Sequence, residues 1–254
     1  CDYLSHETAY AGVGPTMTID LGLLILTAAS IGFVHTLLGP DHYLPFVAMS
    51  AARGWTTRKT LWITSLCGLG HVLGSVAIGV VGIGIGVSLH KLEWIEGVRG
   101  DVAAWLLTGF GLAYLAWGLK KAWRSRPHVH PHVHTDGTLH QHVHHHERAH
   151  LHPHVDATKA RSITPWALFV IFVLGPCEPL IPVLMYPASQ HSVWGTVAVV
   201  LAFGTATIAT MLAVVYLAGR GLERLPLDTA ERYSHAFAGA ALSLCGLGIV
   251  FLGL

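Results

Sequence analysis

Six stretches of this chain are almost free of charge over lengths that few environments accept: about residues 19–49, 61–89, 102–119, 163–186, 193–218 and 234–254. About 20 helical residues cross a hydrocarbon core of roughly 30 Å. Charged residues make up only 11% of the 254, against about 25% in ordinary soluble domains. Such a chain has too little polar surface to cover itself in water. No period-2 alternation runs through the apolar segments, which argues against a β-barrel, so helices must satisfy the backbone within lipid. The reading is an all-α polytopic membrane protein of six transmembrane helices. That excludes a water-soluble enzyme, a nucleic-acid binder and a disordered scaffold. In the second segment, Gly70/Gly74 and Gly82/Gly86 have the spacing of close helix contacts.

The basic residues set the expected orientation. Thirteen of the 15 Lys and Arg fall in the loops after segments 1, 3 and 5, and only Lys91 and Arg99 fall on the other side. By the positive-inside rule both termini lie outside and the 120–162 loop is cytoplasmic, in a cell (inner) membrane. The expected organisation is an extracytoplasmic leader (1–18), a first three-helix repeat (19–119), the cytoplasmic loop (120–162) and a second three-helix repeat (163–254). A chain that starts at Cys1 also invites the expectation of a lost signal peptide and lipid attachment to that cysteine. The four cysteines, Cys1, Cys67, Cys177 and Cys245, are scattered and form no disulfide framework.

Segments 1 and 4 are related. A shift of 136 residues lays LGPDHYLPFVAM (38–49) over LGPCEPLIPVLM (174–185), with six of twelve positions identical. Three spans separate the copies, so the halves would be inverted, as in transporters that bind substrate at broken helices near the midplane. Each copy carries a Gly-Pro step. Proline lacks an N–H and clashes with the carbonyl four residues earlier, which would free the Thr36 and Phe172 carbonyls.

Ionisable residues flank both breaks: Asp41 and His42 follow the first, Cys177 and Glu178 the second. Asp41 and Glu178 read as the only acidic residues deep within the apolar segments, and a carboxylate there costs at least ~2.5 kcal/mol. His35 lies seven residues before His42, nearly two helical turns, and His71 stands in CGLGHVLGS. The candidate metal-ligating set is therefore His35, Asp41, His42, His71, Cys177 and Glu178. Imidazole with carboxylate suits nickel, cobalt, zinc or copper, and Cys177 is a soft ligand or a small core residue. Twelve of the 19 histidines crowd residues 127–154, in runs such as HVHPHVH. That loop reads as a metal buffer or sensor. No phosphate-binding GxxxxGK[ST] exists, and GVVGIGIG reads as helix packing.

HTLLGPDH, CGLGHV and the His-rich third loop together resemble the nickel/cobalt permease superfamily: NiCoT permeases, UreH-type permeases and six-helix nickel/cobalt efflux proteins. In that family four residues separate the first His from Asp-His; here five separate His35 from Asp41. His71 matches the family's Gly-His element. The resemblance implies alternating-access transport of nickel or cobalt at the broken helices. The expected cargo is a divalent metal (nickel or cobalt, or zinc), with no permanent cofactor and no enzymatic activity. The partners would be the metal ion, the lipid bilayer and a cytoplasmic metallochaperone.

Other classes compete with this reading. A membrane thiol–disulfide electron relay also uses Pro-flanked cysteines in inverted repeats, but needs two cysteines that meet, and the repeat partner of Cys177 is Asp41. Cys67 or Cys245 would have to lie close to Cys177. A small-anion exporter should show Arg or Lys within the spans, and none was expected there. A metal sensor would bind without flux.

Overall fold

The computed structural model describes residues 21–124, 128–133, 139–144, 163–190, 192–222 and 231–253. The leader with Cys1, and most of the His-rich loop, lie outside the described residues.

Gly and Pro divide the first and fourth apolar segments as their chemistry demands. Helix α1 (Leu21–Leu38) ends where Gly39 N donates to the His35 carbonyl, and a single turn of 3-10 helix (Pro40–His42) leads into α2 (Leu44–Arg53). Gly54, with φ of 58°, closes α2 in the left-handed conformation that glycine adopts without a Cβ penalty. Thr56 caps α3 (Thr57–Gly84) by accepting from Lys59 N. Helix α4 (Leu89–Arg124) has 36 residues, about 54 Å at 1.5 Å per residue. The fourth segment repeats the broken pattern as α5 (Ile163–Leu174) and α6 (Leu180–Ser189), and α7 (Val193–Leu222) and α8 (Ser234–Leu252) complete the bundle.

Five helices (α1, α3, α4, α7 and α8) are long and apolar enough to cross a membrane, while α5 and α6 are each shorter. Large apolar side chains such as Trp62, Leu201, Leu217 and Phe251 point outward, as they do in a protein whose solvent is lipid. The chain is a multi-pass, helical membrane protein.

Helices α4 and α8 pack antiparallel with their backbones almost touching. A Cβ at Gly111 would meet Ser243 N at 2.5 Å and one at Gly118 would meet Ala236 N at 2.5 Å, while Gly239 lies against Leu115 and Gly246 against Thr108. Small residues seven apart on both helices make this approach possible, and close backbone packing substitutes for the hydrophobic driving force that lipid does not supply. Gly70, Gly74 and Gly82 of α3 are likewise close to Val173 and Leu92. Gly86 instead occupies the turn after α3, with φ of 74° and no neighbour at its Cβ position.

Three helix ends converge at one end of the bundle. Arg53 donates to the Tyr114 hydroxyl (3.2 Å), which pairs with His235 Nδ1 (2.8 Å), while Lys121 lies 2.9 Å from His235 Nε2. Within the His-rich loop, β1 (His128–Val133) pairs antiparallel with β2 (Leu139–His144), setting His128 opposite His144, His130 opposite His142 and His132 opposite His140. The alternation of HVHPHV suits a strand; only a metal buffer was expected of this loop.

The third apolar segment needs correction. It was read as 102–119, but α4 begins at Leu89, so Glu96 and Arg99 belong to a helix and not to a loop. Glu96 is fully buried. Acidic residues inside the apolar helices are therefore not confined to Asp41 and Glu178, and an arginine is present as well.

Candidate functional site at the two broken helices

The first break brings three imidazoles into a row. His35, in the last turn of α1, meets the His42 ring edge-on with centroids 4.8 Å apart, and His42 meets His71 of α3 in the same manner at 5.1 Å. His42 and His71 are buried and His35 is half-buried. Asp41 Oδ1 lies 3.1 Å from His42 Nδ1, and this pair fixes the middle ring. Gly39 is required by this close approach, because a Cβ there would stand 2.7 Å from His42 Nδ1 and 2.8 Å from Asp41 Oδ1.

The second break delivers Cys177 to the same place. One ligating atom each from His35, His71 and Cys177 lie within 4.8 Å of one another. The Cys177 side chain is completely buried, against Ala28, Val72, Leu180, Val199 and Phe203. Gly175 lets the chain pass His71, whose Nδ1 would lie 3.4 Å from a Cβ at that position.

What holds the second break comes from α4. Arg99 donates to the carbonyls of Leu174 (3.1 Å) and Gly175 (2.6 Å), the end groups that α5 leaves open, and pairs with Glu96 at 2.9 Å. Glu96 Oε2 accepts from Cys177 N (3.1 Å) and from the Ser75 hydroxyl (3.0 Å). The Phe172 carbonyl, expected to be freed by Pro176, instead accepts from Gly175 N at 3.1 Å. Burial of an ion pair is favourable only when its remaining donors and acceptors are matched, and here most are spent on the broken helix. Gly100, one turn beyond Glu96, has no side chain to obstruct Pro176.

Of the six sequence-derived residues, His35, Asp41, His42, His71 and Cys177 come together. Glu178 does not: its side chain is exposed, while its carbonyl accepts from Ile181 N at 3.2 Å. The chain turns at Pro176 and Pro179, so neighbours in sequence face opposite ways. Glu96, Arg99 and Ser75 were missed. The signal for Glu96 and Arg99 was the spacing of buried positions Leu92, Glu96, Gly100, Ala103 and Leu107, which continues one helix through residues read as a loop. Cys67, Cys177 and Cys245 are all buried and free. Cys67 and Cys245 belong to the core cluster around Phe46, Phe172 and Leu242, whereas Cys177 belongs to the other.

Residues 44–254 match the family described as cytochrome C biogenesis protein transmembrane region. Among curated proteins and solved structures, none matches the chain. The family match overturns the resemblance to nickel/cobalt permeases. With that resemblance fall nickel or cobalt transport as the function and a divalent metal as the cargo, because the matched family is one of cytochrome c biogenesis and not of metal transport. The resemblance rested on short motifs, of which HTLLGPDH (35–42) lies entirely outside the matched stretch. With the match running through all of α2 to α8, the chain belongs to the cytochrome c biogenesis transmembrane-region family.

Proposed function

We propose that this protein is a membrane thiol–disulfide electron relay with Cys177 as its exchanging thiol. The observation that carries the reading is a buried cysteine at a helix break, beside two imidazoles, in a chain of this family. A thiolate is the nucleophile in disulfide exchange, and a neighbouring imidazole is the usual acceptor of the thiol proton. Cys177 loses its proton to His71 or His35 and its sulfur attacks a partner disulfide. A mixed disulfide forms, and the partner's second sulfur leaves as a thiolate that takes up the proton. An incoming dithiol attacks the mixed disulfide, restores the Cys177 thiol and closes its own disulfide as the first partner is released reduced. Two electrons thereby pass from dithiol to disulfide. The pair of cysteines expected to meet within such a relay is not found among the described residues, because Cys67 and Cys245 sit in the other core cluster, so the second sulfur of each exchange belongs to a partner. Cys177 is one residue from exposed Glu178, so a small opening of the α5–α6 break suffices for access.

The scaffold of this relay is six spans in two inverted halves, with α1–α2 equivalent to α5–α6, α3 to α7 and α4 to α8. Helix contacts support it: α1 packs on α7 as α5 packs on α3, and α2 on α8 as α6 on α4. Gly68 lies against Ile208, and Gly204, its equivalent by the 136-residue shift, lies against Val72, the equivalent of Ile208. The loops after the first, third and fifth spans hold most of the basic residues and face the cytoplasm.

The test uses the full chain in liposomes, with a membrane-impermeant phosphine reductant and a dithiol protein outside and a disulfide reporter trapped inside. Wild type is expected to reduce the reporter at least tenfold faster than Cys177→Ser. Equal rates for the two would sink the reading.

A further inference from the structure

We infer that His35, His71 and Cys177 form a binding site for a single copper(I) ion. Their ligating atoms already lie within 4.8 Å of one another. A three-coordinate site with M–N near 2.0 Å and M–S near 2.3 Å needs separations of about 3.5 to 3.8 Å, a contraction of about 1 Å. A second, independent observation points into the same space. His71 is 3% exposed, yet neither Nδ1 nor Nε2 has a hydrogen-bond partner among the described residues, and His35 Nε2 is also unpartnered. A buried polar atom without a partner is costly, so two such rings with ligating atoms this close to one thiol call for an occupant that all three recognise.

The donor set selects the ion. A thiolate with two imidazoles favours a soft or borderline metal over magnesium or calcium. Zinc favours four ligands, and His42, although its Nε2 is buried and unpartnered too, stands outside the three whose ligating atoms lie within 4.8 Å of one another. Charge points the same way. One thiolate and two neutral imidazoles cancel a single positive charge, and an uncompensated charge is costly away from water. A divalent ion leaves one positive charge over within this set, with Glu96 already paired to Arg99 and Asp41 held by His42. The ion's chemistry here is binding, not passage. A Cys177 sulfur bound to copper(I) is unavailable for attack on a disulfide, so the ion switches off the proposed relay; this last consequence rests on the relay reading, whereas the ion site does not.

The experiment uses the full chain in lipid nanodiscs with Cys1 changed to Ser and the twelve histidines of 127–154 changed to Asn, so that neither competes. Copper(I) is supplied without oxygen from its bicinchoninate complex, and bound metal is characterised by X-ray absorption. One copper per chain with one sulfur and two nitrogen neighbours is expected. Cys177→Ser should lose the sulfur neighbour, and His71→Ala should weaken binding about a hundredfold. Failure to take copper from the chelator, or a copper site without sulfur, overturns the inference even if a variant misfolds, because both are read on the parent protein. Retention of the sulfur neighbour in Cys177→Ser overturns it as well. Thiol exchange is measured in parallel on metal-free and copper-loaded protein. No exchange without metal defeats the relay and leaves the site standing. Exchange that copper does not slow defeats the switch.

Discussion

The two breaks share a twelve-residue pattern with six identical positions and are held in different ways. The first is closed mainly from within: Gly39 N bonds to the His35 carbonyl, His42 N to the Gly39 carbonyl and Asp41 to His42. The second makes the equivalent closing bond, Gly175 N to the Ile171 carbonyl at 2.8 Å, but is held from outside as well, by Glu96, Arg99 and Ser75 of neighbouring helices. A break that closes on itself needs only its own residues and can present its histidines as a fixed row. A break clamped by another helix can change shape when the clamp does. The self-closed break thus supplies positioned imidazoles, and the clamped one supplies the thiol.

Removing the clamp is expected to have the largest effect. Arg99→Met leaves Glu96 fully buried without its cation, a change that costs about 3–5 kcal/mol in comparable buried pairs. The three buried free thiols make a thiol-reactive dye a direct probe of unfolding. The variant should react at a markedly lower temperature than wild type, and Cys177 should label first. The double variant Arg99→Met/Glu96→Gln should recover a good part of the loss. Unchanged melting in the single variant would mean that the ion pair does not hold the second break.

The next largest effect sharpens the contrast with glycine. A Cβ at Gly39 strikes His42, which is 2% exposed and wedged between two other rings, so Gly39→Ala should cost about 1–3 kcal/mol. At Gly175 the nearest contact of a Cβ is 3.3 Å, to the Phe172 carbonyl, and Gly175→Ala should cost less than about 1 kcal/mol. Equal losses in the same dye-based melt would remove the distinction between a packed break and an open one.

Much of this was legible in the sequence, and the misses share a cause. Both breaks were readable because Gly-Pro acts locally on backbone geometry, and His35, His42, His71 and Cys177 because each adjoins such a break or interrupts an apolar run. Glu96 and Arg99 were not, because residues 89–101 hold too many polar groups to resemble a span. Only the far end of the fourth segment shows that these groups are needed inside. Glu178 was placed wrongly because a chain that turns at Pro176 and Pro179 no longer has helical phase. The family was misread because three short motifs outweighed the pattern of the remaining helices, although chemistry-bearing residues recur more readily by chance than a whole helical framework.

A smaller effect comes from Ser75, which accepts from Arg99 at 2.6 Å and from Cys177 N at 3.2 Å and donates to Glu96. Cys177 N keeps Glu96 as an acceptor when Ser75 becomes Ala, so the expected loss is about 1 kcal/mol. Labelling of Cys177 by a small alkylating reagent should nevertheless quicken. Labelling at the wild-type rate would mean that Glu96 alone fixes the Cys177 backbone.

Asp41→Asn should do least to stability. The Asp41 side chain is 27% exposed beside a buried His42, and asparagine keeps an oxygen able to accept from His42 Nδ1, so the loss should stay below about 1 kcal/mol, since one hydrogen bond replaces another. Its consequence lies in the imidazole row. With the carboxylate gone, the ring is held by one neutral hydrogen bond. Nitrogen-15 spectra of the histidine rings should then show the His42 Nδ1 resonance displaced from its wild-type position, while His71, which makes no hydrogen bond to Asp41, changes less. If all three rings shift equally, the row responds as a single unit and the first break is not the self-contained element that its hydrogen bonds describe.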